Sequence, residues 1–226
     1  MNYFAHSIPF LTRQCDPYFI AGLAVPDWLN VVNRKTKARS KSALAFLETS
    51  HCPAEQALAR GVIQHHHDDR WFHQTRSFNE LSLEFSAQIR DLLKPDNGFR
   101  PGFLGHVLVE LLLDDHLIQR FPSKIERYYQ TVESIDPRRV ESAVSKFSTQ
   151  PALRLEWFIK RFQEVKFLYD YTDNEKLLGR LNQIMQRVKL LPLPKQLLGF
   201  FETARLTIAN RADELFFEPL GRSLNT

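Results

Sequence analysis

The segment GVIQHHHDDRWFHQ, residues 61 to 74, concentrates side chains that bind metal ions or transfer protons. It holds four of the eight histidines of the chain together with two aspartates. On a helix with about 3.6 residues per turn, His65, Asp69 and His73 fall within roughly 80° of one another around the axis. Imidazole nitrogen and carboxylate oxygen suit zinc, manganese or iron. The segment therefore predicts part of a site for a divalent metal ion.

The same geometry separates the neighbouring histidines from this face. His66 and His67 point about 100° and about 200° away from His65, which predicts that both are surface residues and bystanders to the site. His65 and His73 are about 12 Å apart along the axis, so they are poorly placed as equal ligands of one ion. We therefore expect His65 and Asp69 to form the better pair.

A second apolar segment, GHVLVELLLDDHL, carries a similar stripe. His106, Glu110 and Asp114 follow one another at four-residue spacing, and burying so many ionisable groups is unfavourable unless they pair or hold a cation. Metal sites in helical bundles are commonly built from side chains on facing helices. We predict that the two helices share one site, with His6 and Asp27 as additional ligands. The alternative is that these groups are ordinary hydrogen-bonded core residues or exposed surface residues.

The elements that must position these residues are helices. Apolar residues recur at three- and four-residue spacing and strict alternation is scarce, which predicts an all-α fold. Pro53 suits a helix start, and Asp136 with Pro137 suits the capped start of another helix. The segment 91–102 contains prolines and glycines and predicts a loop. Helices are predicted over 53–74, about 102–120, from Pro137 onward, and over about 151–170, 174–190 and 195–217.

Length and composition indicate one domain. A chain of 226 residues with 43% hydrophobic residues can bury a sizeable core, which predicts a single-domain, all-α multi-helix bundle over residues 1–226. The longest apolar runs stop short of the roughly 20 residues of a membrane span, and MNYFAHSIPF lacks the features of a secretory signal. Cys15 and Cys52 are too few for a disulfide framework or a zinc-thiolate cluster. We expect a cytoplasmic protein whose metal ligands are His, Asp and Glu.

Positive charge is concentrated in RKTKARSK, residues 34 to 41, which we call the basic run. The chain as a whole has 30 Lys and Arg against 26 Asp and Glu, a net charge of +4. The run contains no acidic residue, and one interpretation is a solvated face. The other is a docking surface for an acidic or polyanionic partner. The residues of this predicted surface are Arg34, Lys35, Lys37, Arg39 and Lys41.

Four short pieces of the sequence carry a resemblance to a known family. They are MNYFAHS, FIAGLAVPDW, GVIQHHHDDRWFHQTRSF and LLLDDHLIQR, and they resemble motifs of the bacterial acyl-carrier-protein phosphodiesterases. The resemblance aligns His65 and Asp69 with the family's His and first Asp, and Asp115 and His116 with its Asp-His motif. Two later segments, LLGRLNQIMQRVKLLPLP and RADELFFEPL, are similar in pattern to the family's C-terminal helices.

The resemblance implies an all-helical, HD-like phosphodiesterase that removes 4'-phosphopantetheine from acyl carrier protein, typically with manganese. On this basis, the residues in or near the metal coordination sphere are His6, Asp27, His65, Asp69 and Asp115. His116 or His73 would be the general acid or an orienting residue, because an imidazole can donate a proton near neutral pH. Phe72 and His73 stand where the family carries Thr-Asp, a departure that affects the substrate more than the metal.

Other functions stay open at this point. The same His and Asp layout is similar to zinc-dependent phospholipase C and its single-strand nuclease relatives, and nucleic acid is a less favoured partner. A non-catalytic helical scaffold that binds an acidic partner would also explain the charge and the helices, but not the His and carboxylate stripes. The sequence has no Gly-rich phosphate loop and no G-x-S-x-G element, which argues against nucleotide-dependent transfer and serine hydrolysis.

Overall fold

The structure is a computed structural model that describes residues 1–94 and 98–217. Its helices, in chain order, are α1 (Tyr3–Ser7), α2 (Pro17–Val32), α3 (Ser40–Thr49), α4 (Pro53–Phe72), α5 (Arg76–Leu92), α6 (Pro101–Arg120), α7 (Pro122–Glu133), α8 (Pro137–Phe147), α9 (Leu155–Val165), α10 (Asn174–Arg187) and α11 (Leu197–Ala212). Short 3-10 helices span Ile8–Phe10 and Phe167–Thr172, and Asp213–Phe217 is π-helical.

The fold class is all-α, as predicted. Within residues 1–94 and 98–217 there is no β-strand, and extended pairing is limited to an isolated antiparallel bridge between Ala38 and Ser148. The predicted loop at 91–102 is non-helical where it is described between α5 and α6, while its residues 95–97 lie outside the described residues. The end of RADELFFEPL, from residue 218, also lies outside them.

Several helices begin with a proline as their first residue, namely Pro17, Pro53, Pro101, Pro122 and Pro137. Proline suits this position because its missing N–H would have no acceptor within the helix and its φ is already helical. The Asp136 side chain accepts a hydrogen bond from the backbone N–H of Arg138 at 2.9 Å. The N-cap predicted at Asp136 is therefore confirmed.

The helix predicted over 151–170 is shorter than expected. α9 is preceded by Arg154 with φ 72° and followed by Lys166 with φ 50°. A right-handed helix cannot continue through a residue in the left-handed region. A similar residue, Lys189 with φ 59°, follows the end of α10. The apolar periodicity extends past these positions, so it overestimates the length of both helices.

The helices divide into two compact units. The first unit consists of Met1–Arg70 and Phe121–Lys166, and the second of Trp71–Arg120 and Phe167–Thr226. Each unit therefore takes two separate segments of the chain. The prediction of a single domain is not tested by this division and stays a prediction.

In the first unit, α1 is buried against α2 and α7. Phe4 packs edge-on against Tyr128 of α7 with 6.2 Å between ring centroids. Tyr3 lies 5.4 Å from the ring of Phe162 in α9, which also contacts Trp28 of α2 at 5.5 Å. These aromatic contacts hold α1, which carries His6, in a fixed place within the unit.

In the second unit, α6 packs most extensively against α5 and also contacts α11 and the 3-10 helix Phe167–Thr172. Leu108 and Leu112 of α6 are buried in this core, and Phe85 of α5 meets Phe200 of α11 edge-on at 5.7 Å. Across the part of the chain that the structure describes, no helix combines the length and the apolar character needed to cross a membrane.

Candidate functional site

The candidate site in the first unit begins with a close crossing of α2 and α4. At the crossing, Gly22 faces Gly61, and a Cβ added to Gly22 would lie 2.9 Å from the Cα of Gly61. Real side chains do not approach backbone this closely, so only glycine fits at both positions. The crossing brings the main chain of α2 against α4 one turn before His65.

The backbone of α2 fixes the orientation of His65. Its Nδ1 donates a hydrogen bond to the carbonyl oxygen of Leu23 at 2.8 Å, and the residue is 2% exposed. A carbonyl oxygen only accepts hydrogen bonds, so Nδ1 carries a proton, and in the neutral ring the lone pair is then on Nε2. His65 Nε2 lies 3.3 Å from Oδ2 of Asp69. This is the arrangement in which histidine binds metal ions, with one nitrogen anchored by a carbonyl and the other free to coordinate.

His6 approaches the same carboxylate from α1. Its Nε2 lies 3.2 Å from Oδ1 of Asp69, and its Nδ1 lies 3.6 Å from Oδ2 of Asp68. The ring stacks on His65 with 4.1 Å between centroids. His6 is fully buried, yet neither ring nitrogen has a hydrogen bond of good geometry within the described residues. Buried polar atoms without such a bond are rare and often indicate an ion or water that completes the site.

The Asp69 carboxylate is ionised in this environment. Burial acts to raise its pKa, but the adjacent imidazoles of His6 and His65 and the charge of the N-terminus outweigh burial and hold the pKa well below its usual range. The N-terminal ammonium of Met1 donates a hydrogen bond to Oδ1 at 2.8 Å and forms an ion pair with the carboxylate. The side chain is 30% exposed, in contrast to the buried imidazoles. An ionised carboxylate with partial access to solvent is the form that coordinates a divalent cation.

The residues fit a divalent transition metal. One ligand atom from each of His6, His65 and Asp69 can be chosen so that all lie within 4.8 Å of one another. Two imidazoles and one carboxylate form a set used by zinc and non-haem iron sites. The Leu23 carbonyl and the Asp68 carboxylate lie behind the two imidazoles, as partners of metal-bound histidines usually do.

The basic run lies next to this cluster in the first unit. His66 Nε2 donates to the carbonyl oxygen of Ala38 at 2.7 Å, and the rings of His65 and His66 are 5.3 Å apart. The backbone N–H of Thr149 donates to the carbonyl of Lys37 at 2.9 Å, which ties the run to the end of α8. His66 is therefore half-buried and bonded, whereas the sequence predicted a surface residue. His67 is exposed, as predicted.

Lys37 and Asp27 connect the run to α2. Lys37 Nζ donates to the side-chain oxygen of Asn30 at 2.5 Å. Burial lowers the pKa of Lys37, and the charges of Arg34 and Arg39 lower it further. The charge of Asp27 raises the pKa of Lys37. Asp27 is half-buried, and this predicted ligand therefore interacts with the basic run. It does not belong to the three-residue cluster.

The other predicted ligands lie in the second unit. His73, which follows α4, groups there with His106 and Glu110 of α6. Burial acts to raise the pKa of Glu110, but nearby positive charge and the hydrogen bonds to His106 and His73 outweigh burial and hold the pKa well below its usual range. The sequence predicted His73 as a catalytic residue or orienter, and its nearest carboxylate is Glu110 at 2.8 Å.

Asp115 and His116 have different surroundings from either group. Asp115 is buried in an ion pair with Arg205, and Gln119 donates to it at 2.8 Å. Burial lowers the pKa of His116, as does the charge of Arg120, so the neutral imidazole is favoured. Neither residue belongs to a three-residue cluster within the described chain. The roles of Asp115 as a ligand and His116 as an acid stay predictions.

Sequence reasoning missed three features of the site. Asp68 was not selected, although it is buried, accepts from Gln64 at 2.7 Å and lies behind His6. Its spacing of four residues from Gln64 is the signal that could have indicated it. The glycines at the helix crossing were visible only as small residues in apolar segments. The role of the Leu23 carbonyl has no signature in side-chain chemistry.

Comparison with known proteins adds no family assignment. No protein-family model matches the chain, and neither the curated proteins nor the solved structures contain a significant match. The resemblance to acyl-carrier-protein phosphodiesterases therefore rests on the short motifs alone. Function has to be argued from the geometry of the site.

Proposed function

We propose that this chain is a metal-dependent phosphodiesterase whose divalent metal is held by His6, His65 and Asp69. The observation that carries the proposal is the convergence of two buried imidazoles on one ionised carboxylate, with Nε2–oxygen distances of 3.2 and 3.3 Å. Burying the His6 imidazole without a hydrogen bond of good geometry is costly. A bound cation would turn this cost into a favourable interaction.

The chemistry divides between the ion and the chain. A bound divalent metal supplies Lewis acidity for a phosphoryl oxygen and lowers the pKa of water towards about 7. The Leu23 carbonyl orients His65 through Nδ1 and leaves Nε2 facing Asp69, and the Asp68 carboxylate lies 3.6 Å from His6 Nδ1. Partial exposure of Asp69 provides a side from which a substrate can approach. Manganese, zinc and iron are all compatible with this ligand set.

The basic run supports an anionic substrate. Arg34, Lys35, Arg39 and Lys41 are exposed, and the run is joined to the metal cluster through the bond from His66 to Ala38. Positive charge beside a catalytic site raises the local concentration of anionic substrates. The more specific part of the proposal is an acidic carrier protein as substrate, with 4'-phosphopantetheine as the group released. That part rests on the resemblance of the motifs.

The test compares metal binding and hydrolysis in untagged protein. Asp69→Asn keeps the size of the side chain but removes the charge that a cation needs. We expect zinc or manganese affinity to fall by at least about 10- to 100-fold, with a matching loss of bis-p-nitrophenyl phosphate hydrolysis. Metal content by mass spectrometry and the thermal midpoint with and without metal provide the readouts. His67→Gln is the control, because this imidazole is 72% exposed.

Two results would contradict the proposal. A wild-type protein that gains no thermal stability with zinc, manganese or iron(II) has no metal site, since a ligand of the folded state must stabilise it. Such a result would favour a non-catalytic helical protein that binds an acidic partner. Metal binding without hydrolysis of any phosphodiester would retain the site and exclude the activity.

A further inference from the structure

The second unit contains its own cluster of possible metal ligands, which shares no residue with the site proposed above. His73 Nε2 lies 2.8 Å from Oε1 of Glu110, and His106 Nε2 lies 3.5 Å from the same oxygen. One ligand atom from each residue can be chosen so that all three lie within 4.8 Å of one another. The imidazole rings of His73 and His106 are 4.8 Å apart.

The backbone holds these three residues in place. His106 and Glu110 are one turn apart on α6, so their side chains share a face. Next to His106, Gly105 lies where α6 crosses α5, and a Cβ there would lie 2.8 Å from the backbone nitrogen of Ser86. His73 lies in the turn after α4, where its carbonyl accepts from Asn79 Nδ2 at 3.1 Å. A close helix crossing and a hydrogen-bonded turn therefore fix the backbone positions of the three residues.

Phe78 restricts the two imidazoles further. Its ring lies 4.9 Å from that of His73 and 4.8 Å from that of His106, which it meets edge-on at 89°. Phe78 itself is only 3% exposed and cannot move away easily. The ring forms an apolar wall on one side of the cluster. It limits the orientations that the imidazoles can adopt and leaves their nitrogens directed towards Glu110.

Access from solvent distinguishes this cluster from the first. The side chains of His73 and His106 are 33% and 42% exposed, and that of Glu110 is 18% exposed. An ion could therefore enter and leave without unfolding of the unit. Three protein ligands leave further coordination positions for water or a small molecule, as in catalytic zinc sites, whereas structural zinc sites are closed by four ligands.

We propose that His73, His106 and Glu110 bind a second divalent transition metal of the zinc and iron(II) class. Two nitrogen donors out of three favour such an ion over magnesium or calcium, which prefer oxygen ligands. The same contacts could instead form a metal-free hydrogen-bonded group in which Glu110 accepts from both imidazoles. The two cases differ in zinc binding, which is therefore the quantity to measure.

The experiment removes the first site so that the two proposals are tested separately. Untagged, full-length Asp69→Asn protein is dialysed against buffered zinc, and bound zinc is counted per chain. We expect about one zinc ion in Asp69→Asn and close to none in Asp69→Asn combined with His106→Gln. His73→Gln in the same background should have the same effect. Excess magnesium should not displace the ion.

The control in this background is His67→Gln, which removes an exposed imidazole outside both clusters and should leave zinc binding unchanged. Circular dichroism of the metal-free proteins verifies that each variant is folded. No zinc in Asp69→Asn, or equal zinc with and without His106→Gln, would overturn the second site. Equal zinc in wild type and Asp69→Asn would instead overturn the first site and leave the second standing.

Discussion

A single main-chain carbonyl decides the chemistry available at His65. Because the Leu23 oxygen accepts the Nδ1 proton at 2.8 Å, the neutral ring has its lone pair on Nε2, which faces Asp69. Had Nε2 carried the proton, the same residues would form only a hydrogen-bonded pair. Within the described residues neither ring nitrogen of His6 has a hydrogen bond of good geometry, and Nδ1 lies 3.6 Å from the Asp68 carboxylate. The anchoring of His65 is therefore the more direct of the two, and we expect His65 to define the position of an ion.

Glu55 gives a pH prediction that does not involve the metal ligands. The ammonium of Lys146 lies 2.6 Å from Glu55 Oε1 and, with the Ser50 hydroxyl at 2.9 Å from Oε2, lowers the pKa of this carboxyl below its ordinary 4.5. A lowered folded pKa contributes stability that is present above the unfolded pKa and lost as the pH falls through the folded pKa. We expect the free energy of unfolding, measured with urea between about pH 7 and about pH 3, to show this loss of stability as the pH falls.

The matched variants remove one partner each. Glu55→Gln should flatten the decline in the free energy of unfolding below about pH 4.5, because the neutral amide does not titrate. Lys146→Met should flatten this decline in the free energy of unfolding similarly, because it removes the charge that lowers the pKa of Glu55. The pair joins α4 to α8 near the surface, so we expect a contribution of about 1 kcal/mol or less at neutral pH. An unchanged acid limb in both variants would show that the pair does not contribute.

At the scale of elements, the backbone crossing of α2 and α4 positions the first cluster. No side chain separates the helices at Gly22 and Gly61, so any added atom pushes them apart. We expect Gly61→Ala to destabilise the protein by about 1–3 kcal/mol. The displacement also moves the Leu23 carbonyl away from His65. Zinc affinity should therefore fall together with stability, as measured by chemical unfolding and by competition with a chelator.

Gly179→Ala is the matched control for this prediction. Gly179 lies in α10, and a Cβ there meets nothing within 4 Å. The same chemical change should raise stability by about 0.5–1 kcal/mol through helix propensity and leave zinc affinity unchanged. A Gly61→Ala protein as stable as this control would mean that the crossing can relax.

The sequence predicts the helices better than it predicts the grouping of their side chains. Proline starts, the Asp136 cap and the pairing of His65 with Asp69 follow from local rules, since each depends on residues within one or two turns. The grouping of His73 with His106 depends on how α6 packs on α5 at Gly105. The position of His6 depends on aromatic packing around α1. Such tertiary contacts have no local periodicity, so spacing alone could not indicate them.

At the scale of the molecule, each unit carries its own set of two histidines and one carboxylate. The two groups are His6, His65 and Asp69, and His73, His106 and Glu110. The sequence predicted one site shared by two helices, and that stays a prediction. The basic run accompanies the first group within the first unit. We therefore propose that recognition of an acidic substrate, if the chain has one, belongs to the first unit.

Charge reversal in the basic run tests this assignment. Lys35, Arg39 and Lys41 are exposed, so their replacement by Glu should not disturb the core. We expect hydrolysis of an acidic carrier protein to slow far more than hydrolysis of bis-p-nitrophenyl phosphate, chiefly through association. The difference should shrink as salt is added, because long-range attraction is screened. Equal losses on both substrates at all salt concentrations would exclude a docking role.

The division of each unit between two chain segments affects the order of events during synthesis. His6, His65 and Asp69 all belong to the segment made first, but α7, α8 and α9, which complete their unit, emerge only after residues 71–120. At about 5–20 residues per second, translating those residues takes about 2.5–10 s. During that interval the three ligands of the proposed site leave the ribosome without the helices that later bury α1. If the proposed site binds a metal, an ion captured then binds an unfinished unit, and the metal content of purified protein would reflect the ions present during translation as well as the selectivity of the finished site.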